Sequence, residues 1–252
     1  MTAERWARAV RQELGLGRLL PLGGPREGAW LAEAAAGELL RRAAADVPGV
    51  RPGRVRVALA DPEDTGDPVV PPPPGALPPG PLRVTAGFAA TSAEPLPATA
   101  SRLRAALSEA AATRLGLRVT EVDLRVTDLW EDDGTGPGPA HPEDAQDPRD
   151  TEQSPAGRPA APGGDGTGDA GRVARAVLAV PGVTRLGGTL GRPVAFREAA
   201  AGDAALVRRH VQVQCAVRAD HRALDVAREI RTRTAEALPD RPTVTVLITA
   251  LE

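Results

Sequence analysis

The chain has 252 residues, a formal net charge of −2 and 42% hydrophobic residues, enough for one large domain or two small ones. Its 26 prolines and 27 glycines indicate linkers. Lysine is absent and every basic residue is arginine, which a GC-rich genome explains better than nucleic-acid binding, because the chain has no positive surplus. The single cysteine excludes an intramolecular disulfide framework, and no apolar run approaches the ~20 residues of a transmembrane helix.

An N-terminal amphipathic helix is predicted within residues 1–18. Trp6, Val10 and Leu14 recur along one stripe with helical spacing, and arginines flank them. Such a stripe can lie on an anionic membrane, in the groove of a partner protein, or against the chain's own domain. The pattern leaves these three alternatives open.

A first α+β domain is predicted over 19–130. Its periodic segments are a helix over 30–47, a strand over 55–59, a proline-rich loop over 61–81, a strand over 82–89, a helix over 98–115 and a strand over 122–127. Pro48 and Gly49 end the first helix, and Gly116 ends the second.

A disordered acidic linker is predicted over 131–169, because this stretch has no periodicity and is rich in proline, glycine and carboxylates. A second, diverged α+β domain is predicted over 170–252. Its segments are a helix over 171–180, a weak strand within 192–199, a strand over 211–217, a helix over 223–238 and a strand over 244–250.

The two halves share one order of elements: helix, Pro-Gly-Val, strand, strand, helix, strand. One offset places Val211 on Val84 and Ile230 on Leu103 (230 − 103 = 127). This indicates an internal repeat; the alternative is two unrelated domains with a common order. The predicted fold class is therefore α+β, with two tandem two-layer α/β-sandwich units. Each would have a three-stranded mixed sheet whose last two strands are parallel across a right-handed helical crossover.

Three features of the first half carry a family resemblance. A helix ends in Val47-Pro48-Gly49-Val50, an alternating strand contains Gly87, and the turn Thr113-Arg114-Leu115-Gly116-Leu117 leads into another alternating strand. In these features residues 82–129 and the helix end before them resemble the alkaline shock, or envelope stress response, family of Gram-positive bacteria. The tyrosine that usually precedes the glycine is absent, and two residues separate the threonine and glycine of the turn. The second half keeps only the Pro-Gly-Val and the order of elements.

The resemblance implies a non-enzymatic scaffold or adaptor that acts by protein–protein association. Its expected location is the cytoplasm, peripheral to the inner face of the cell membrane. The partners it implies are paralogous stress-family proteins or further copies of the chain, together with a small membrane-anchor protein. It brings no catalytic residues and no cofactor.

The residues themselves suggest little chemistry. Cys215 alternates in register with strand valines and is expected in the core. His210 shares the opposite face with Gln212 and Gln214 and is expected to be solvated. A zinc site needs three or four converging ligands, which the spacing of histidine and cysteine does not provide, so no metal is expected.

The second predicted helix carries exposed arginines, among them Arg102 and Arg104. They could contact a partner or a membrane, and they support the alternative hypothesis of an RNA- or DNA-associated α+β binding module. Pairing with nearby carboxylates is the competing interpretation. The candidate contact residues are thus Trp6, Val10, Leu14, Arg102 and Arg104.

Overall fold

The computed structural model describes residues 15–131, 168–189, 191–199 and 208–252. Their helices are α1 (Glu33–Ala45), α2 (Leu96–Glu109), α3 (Asp169–Leu178) and α4 (Ala223–Glu236), and a π-helical turn (Ala110–Leu115) continues α2. Their strands are β1 (Leu19–Pro21), β2 (Ala29–Ala32), β3 (Val50–Leu59), β4 (Leu82–Thr91), β5 (Val119–Trp130), β6 (Val183–Leu186), β7 (Val194–Ala199), β8 (Arg208–Val217) and β9 (Thr243–Leu251). The predicted α+β class is confirmed.

The smaller sheet has the order β3-β4-β5. β3 is antiparallel to β4, and β5 is parallel to β4 across the crossover through α2. Alternate β4 residues, such as Val84 and Phe88, are buried on the face that α1 and α2 cover. The residues between them face the other way, as the period-two pattern predicts.

The larger sheet has the order β1-β2-β9-β8-β6, and β7 also pairs with β8. β8 and β9 are parallel across the crossover through α4. β6 and β7 pair antiparallel with successive parts of β8. Together they occupy the position that β3 alone occupies beside β4.

The duplication predicts adjacent parallel strands on either side of the second helix in both halves, and both halves have them. The register agrees as well, because Val50 pairs with Ala90 and Val183 pairs with Val217. Both Pro-Gly-Val turns use a glycine with positive φ, 75° at Gly49 and 90° at Gly182, a conformation that glycine adopts without steric cost. The two halves therefore share topology, register and turn chemistry.

Residues 29–32 form β2, so the helix predicted over 30–47 begins only at Glu33. β2 lies parallel to β9, with Leu31 opposite Ile248, and β1 pairs with β2. These two strands of the first half, with the division of the edge strand into β6 and β7, give the second sheet six strands instead of the expected three. The pairing is non-local, and a short apolar run next to a helix does not reveal it.

One continuous apolar core joins the two halves. α1 contacts both β3 and β9, so it packs against strands of both sheets. A separate small cluster lies on the opposite face of the larger sheet and comprises Leu16, Leu19, Trp30, Ala32, Val70 and Leu247. Most of this second cluster comes from the first half of the sequence.

Candidate interaction surface

The residues proposed from sequence do not form one site. Trp6, Val10 and Leu14 lie outside the described residues, as does nearly all of the predicted linker. Arg102 forms an exposed ion pair with Glu94. Arg104 Nε donates a hydrogen bond to the backbone carbonyl of Val122 in β5, at 3.3 Å. Arg102 is therefore paired with a nearby carboxylate, as the competing interpretation predicts. Arg104 instead binds the backbone at the edge of β5.

The family-like turn after α2 lies at the junction of the two halves. Gly116 has φ +83°, and a Cβ added there would lie 2.4 Å from Leu224 Cβ of α4. The Gly116 carbonyl accepts a hydrogen bond from the N–H of Gly23 at 3.0 Å. Arg114 Nη2 donates to the carbonyl of Ala219 at 3.0 Å. The motif that carries the resemblance therefore packs inside this molecule.

An ion pair supports the same junction. Arg228 of α4 contacts both carboxylate oxygens of Glu27 through Nε and Nη2, at 2.9 and 2.5 Å. These hydrogen bonds lower the pKa of Glu27 against the opposing effect of its burial. A two-point arginine–carboxylate contact also fixes orientation. It holds the β1–β2 connection against α4.

The larger sheet is closed on the face away from its helices. Trp30 is buried there, and its indole N–H donates to the carbonyl of Leu77 at 3.1 Å. Thr245 Oγ1 donates to the carbonyl of Pro71 at 3.0 Å. The proline-rich segment predicted as a loop of the first domain therefore lies across the second sheet.

The equivalent face of the smaller sheet is open to solvent. Arg51, Arg56 and Arg125 project from it, and no ion pair involves these three within the described part of the chain. The Arg51 guanidinium lies 4.1 Å from the ring centroid of Trp130, a cation–π contact. Glu121 and Asp123 share the face and lie next to Arg83.

The two edges of the smaller sheet differ. At the β3 edge, Arg18 Nη2 donates to the Val57 carbonyl at 2.8 Å, and the Val57 N–H donates to Glu33 Oε1 at 3.2 Å. Burial acts to raise the pKa of Glu33, but hydrogen bonds from Arg18 and the Val57 N–H outweigh it, so the pKa is lowered. This ionic clip satisfies the outward backbone N–H and carbonyl of Val57 in β3.

At the other edge, β5 has no neighbouring strand beyond β4 among the described residues. Val126 is 42% exposed and Leu129 is 52% exposed. Long strands with an unpaired edge are templates for pairing with another chain. The open face and this edge together form the candidate interaction surface.

The prediction that Cys215 is a core residue is confirmed, and burial raises its pKa to about 12. The prediction that His210 is solvated is wrong. His210 is only 2% exposed, its Nδ1 lies 2.9 Å from Thr243 Oγ1, and burial, with the charge of Arg197, lowers its pKa. Gln212 and Gln214 are buried beside it, because this sheet is covered on both faces.

In the described ranges, histidine, cysteine and carboxylate side chains form no cluster able to hold a metal ion. None of the described helices combines the length and apolar character needed to cross a bilayer. Comparisons with protein-family models, curated proteins and solved structures find no match to this chain.

Proposed function

We propose that the chain is a non-enzymatic scaffold or adaptor, similar in role to envelope stress response proteins, that acts by protein–protein association at the cytoplasmic face of the cell membrane. The observation that carries this proposal is the unequal exposure of the two sheets. Residues of the first half cover one face and one edge of the larger sheet, while no described element covers the corresponding face and edge of the smaller sheet. The described part of the chain thus presents an exposed sheet face next to an unpaired strand edge.

The candidate partners are paralogous stress-family proteins, further copies of the chain, and a small membrane-anchor protein. The family-like turn supports the assignment by its sequence and not by its exposure, since Gly116 is buried against Leu224. Association then depends on β5 and the open sheet face. An anchor protein would supply the membrane attachment.

Fractionation of cells of the source organism tests this proposal. The tagged full chain should sediment with membranes, and at least part of it should remain in the membrane fraction after a high-salt wash. It should also co-purify with a paralogue or an anchor protein. Leu129→Glu, on the proposed surface, should reduce that recovery several-fold. Leu178→Glu is the matched control, because Leu178 is 51% exposed but lies on α3.

Protein that stays entirely soluble, bound to nucleic acid and without a paralogue or membrane protein, would overturn the scaffold proposal. Equal losses in the two leucine variants would argue against the surface, since only Leu129 belongs to it.

A second candidate function, RNA or DNA association, draws on the open face. Arg51, Arg56 and Arg125 together with Trp130 offer cations and one ring beside a β-sheet, as in some single-strand binders. The carboxylates of Glu121 and Asp123 on the same face oppose it. Binding should weaken steeply with salt, and the triple Arg→Ala variant should abolish it, if this candidate is right.

A further inference from the structure

The backbone at the free edge of β5 is available for pairing. Arg104 of α2 donates a hydrogen bond to the Val122 carbonyl, which therefore points away from β4. Backbone groups alternate along a strand, so those of Leu124 and Val126 point to the same edge. Arg104 is exposed and holds only this one carbonyl at 3.3 Å, so another strand can displace it.

In the second half of the chain, the strand edge that corresponds to the free edge of β5 is paired with another strand. β9 is the counterpart of β5, and it accepts β2 along that edge with Ala29 opposite Val246 and Leu31 opposite Ile248. Strand addition at this position is therefore compatible with the fold. In the smaller sheet the described residues supply no such strand, and β5 keeps 12 residues at the edge.

The sequence of β5 is complementary to itself in the antiparallel direction. If Leu124 lies opposite Leu124 of a second copy, Asp123 faces Arg125 and Arg125 faces Asp123 on the outer side. Val122 then faces Val126 twice on the inner side. Opposite charges and apolar pairs directly across two strands both stabilise a sheet.

Neighbouring registers lose this match. A twofold axis through Asp123 places two carboxylates opposite each other, and one through Arg125 places two guanidinium groups opposite each other. Like charges in directly opposed positions destabilise strand pairing. The register about Leu124 is centred on the regular stretch of β5 between its two register shifts, at Thr120 and Thr127, so the residues from Val122 to Val126 can pair without irregularity.

We propose that two copies of this chain associate through antiparallel pairing of their β5 strands about Leu124. The two smaller sheets then form one six-stranded sheet in the order β3-β4-β5-β5-β4-β3, with the helices of both copies on one face. The twofold axis makes the contact isologous, so each copy contributes the same residues. The clip of Arg18 and Glu33 already occupies the outward backbone groups of Val57 in β3, so the β5 edge is the one offered for pairing.

This inference rests on the proposed scaffold function for its biological meaning, and it assigns that function a partner, a second copy, and an interface. Self-association is measured on the purified chain, whereas the fractionation measures association with membranes and other proteins. The two can therefore fail separately.

A charge exchange tests the pairing by sedimentation of the purified full chain over a concentration series. Asp123→Arg alone and Arg125→Asp alone should each weaken self-association about tenfold or more, since each places two like-charged pairs across the axis. The double variant Asp123→Arg/Arg125→Asp should recover it. A mixture of the two single variants should form a mixed dimer, because every opposed pair is again of opposite charge.

A second measurement reads the register and does not depend on those charges. A chain with Asp123→Cys and a chain with Arg125→Cys should form a disulfide with each other and not with themselves, because directly opposed strand residues lie within disulfide reach. Cys215 is buried and does not compete. Leu178→Cys serves as the exposed control, and it should form no selective disulfide with either of the other two cysteine variants.

A chain that stays monomeric throughout the series overturns the inference, as does a dimer that both single charge variants leave intact. If the chain dimerises through another surface, or if the β5 edge binds only a different protein, the selective disulfide between positions 123 and 125 should not form. A monomer that still co-fractionates with a paralogue would refute this interface and leave the scaffold proposal standing. A dimer with no paralogue or membrane association would do the reverse.

Discussion

Cys215 gives the chain an unusual alkaline response. Tyrosine and lysine are absent, so the one thiol is the only side chain whose ordinary pKa lies between about 8 and 12. In the folded chain burial raises that pKa to about 12. The native state therefore keeps the thiol proton over a range of pH in which the unfolded state loses it.

The sign of the effect follows from proton linkage. Above the ordinary thiol pKa of about 8.5 the unfolded chain binds one proton fewer than the native chain, so the free energy of unfolding falls as pH rises, by about 1.4 kcal/mol per pH unit. Urea unfolding from pH 8 to pH 10.5 measures this slope. Cys215→Ala, which has no thiol proton to lose, should show almost none of it. Parallel pH profiles for the two proteins would contradict the expectation.

Gly116 joins a backbone requirement to a packing requirement. At φ +83° an alanine is strained by roughly 1–2 kcal/mol, and its Cβ would also collide with Leu224 across the junction. We expect Gly116→Ala to lower the free energy of unfolding by more than that strain alone. Gly75→Ala is the matched control, since Gly75 has φ +74° and nothing within 4 Å of the added Cβ. Equal losses, measured by urea unfolding, would mean that Leu224 yields without cost.

At the scale of elements, local patterns located most helices and strands but not their distant partners. The alternation in β4, β8 and β9 and the glycine stops after α1 and α2 are local, and the sequence indicates them directly. The apolar residues of β2 run into α1 without a break and so have the pattern of a helix, and only the pairing with β9, far along the chain, makes them a strand. The burial of His210 has the same origin, since the period-two pattern of one strand does not reveal that both faces of its sheet are covered.

The candidate surface was only partly foreseeable. The sequence marks Arg104 by its exposed charge, and the structure places its guanidinium at the Val122 carbonyl on the β5 edge. The alternation of β5 showed a strand but not an edge strand, because strand order depends on which residues pair at long range. Its self-complementary charges were in the sequence, yet they acquire meaning only once that edge is known to be open.

The cover over the larger sheet has a specific anchor in Trp30. Replacing it with phenylalanine removes the hydrogen bond to the Leu77 carbonyl and part of a buried ring, so the free energy of unfolding should fall by about 1–3 kcal/mol. Trp130→Phe is the same substitution at a partly exposed ring under Arg51 and should change stability by about 0.5 kcal/mol or less. Thermal and urea unfolding compare the two. A larger effect at Trp130 would contradict the assignment of Trp30 as the anchor.

At the scale of the whole molecule, the two halves are joined by contacts of three kinds. β2 adds to the second sheet, Glu27 pairs with Arg228 of α4, and Gly116 packs on Leu224, so the halves share backbone, ionic and apolar contacts. Domains that contact each other only through a linker have none of these, and they move independently. Strands of the first half therefore complete the sheet of the second half.

This interlocking has a direct test in chain cleavage. A protease site inserted after Asp150 divides the chain between its halves, and we expect the two pieces to co-elute after cleavage, because a parallel strand pair and a continuous core still hold them together. Leu31→Asp in the same cleavable chain places a carboxylate in the fully buried β2–β9 contact, where an unpaired charge costs several kcal/mol. That variant should separate into two pieces on cutting, while Leu178→Asp on exposed α3 should not. Separation of the unmodified halves would show that their shared contacts are too weak to make them one unit, and size-exclusion chromatography before and after cleavage distinguishes the outcomes.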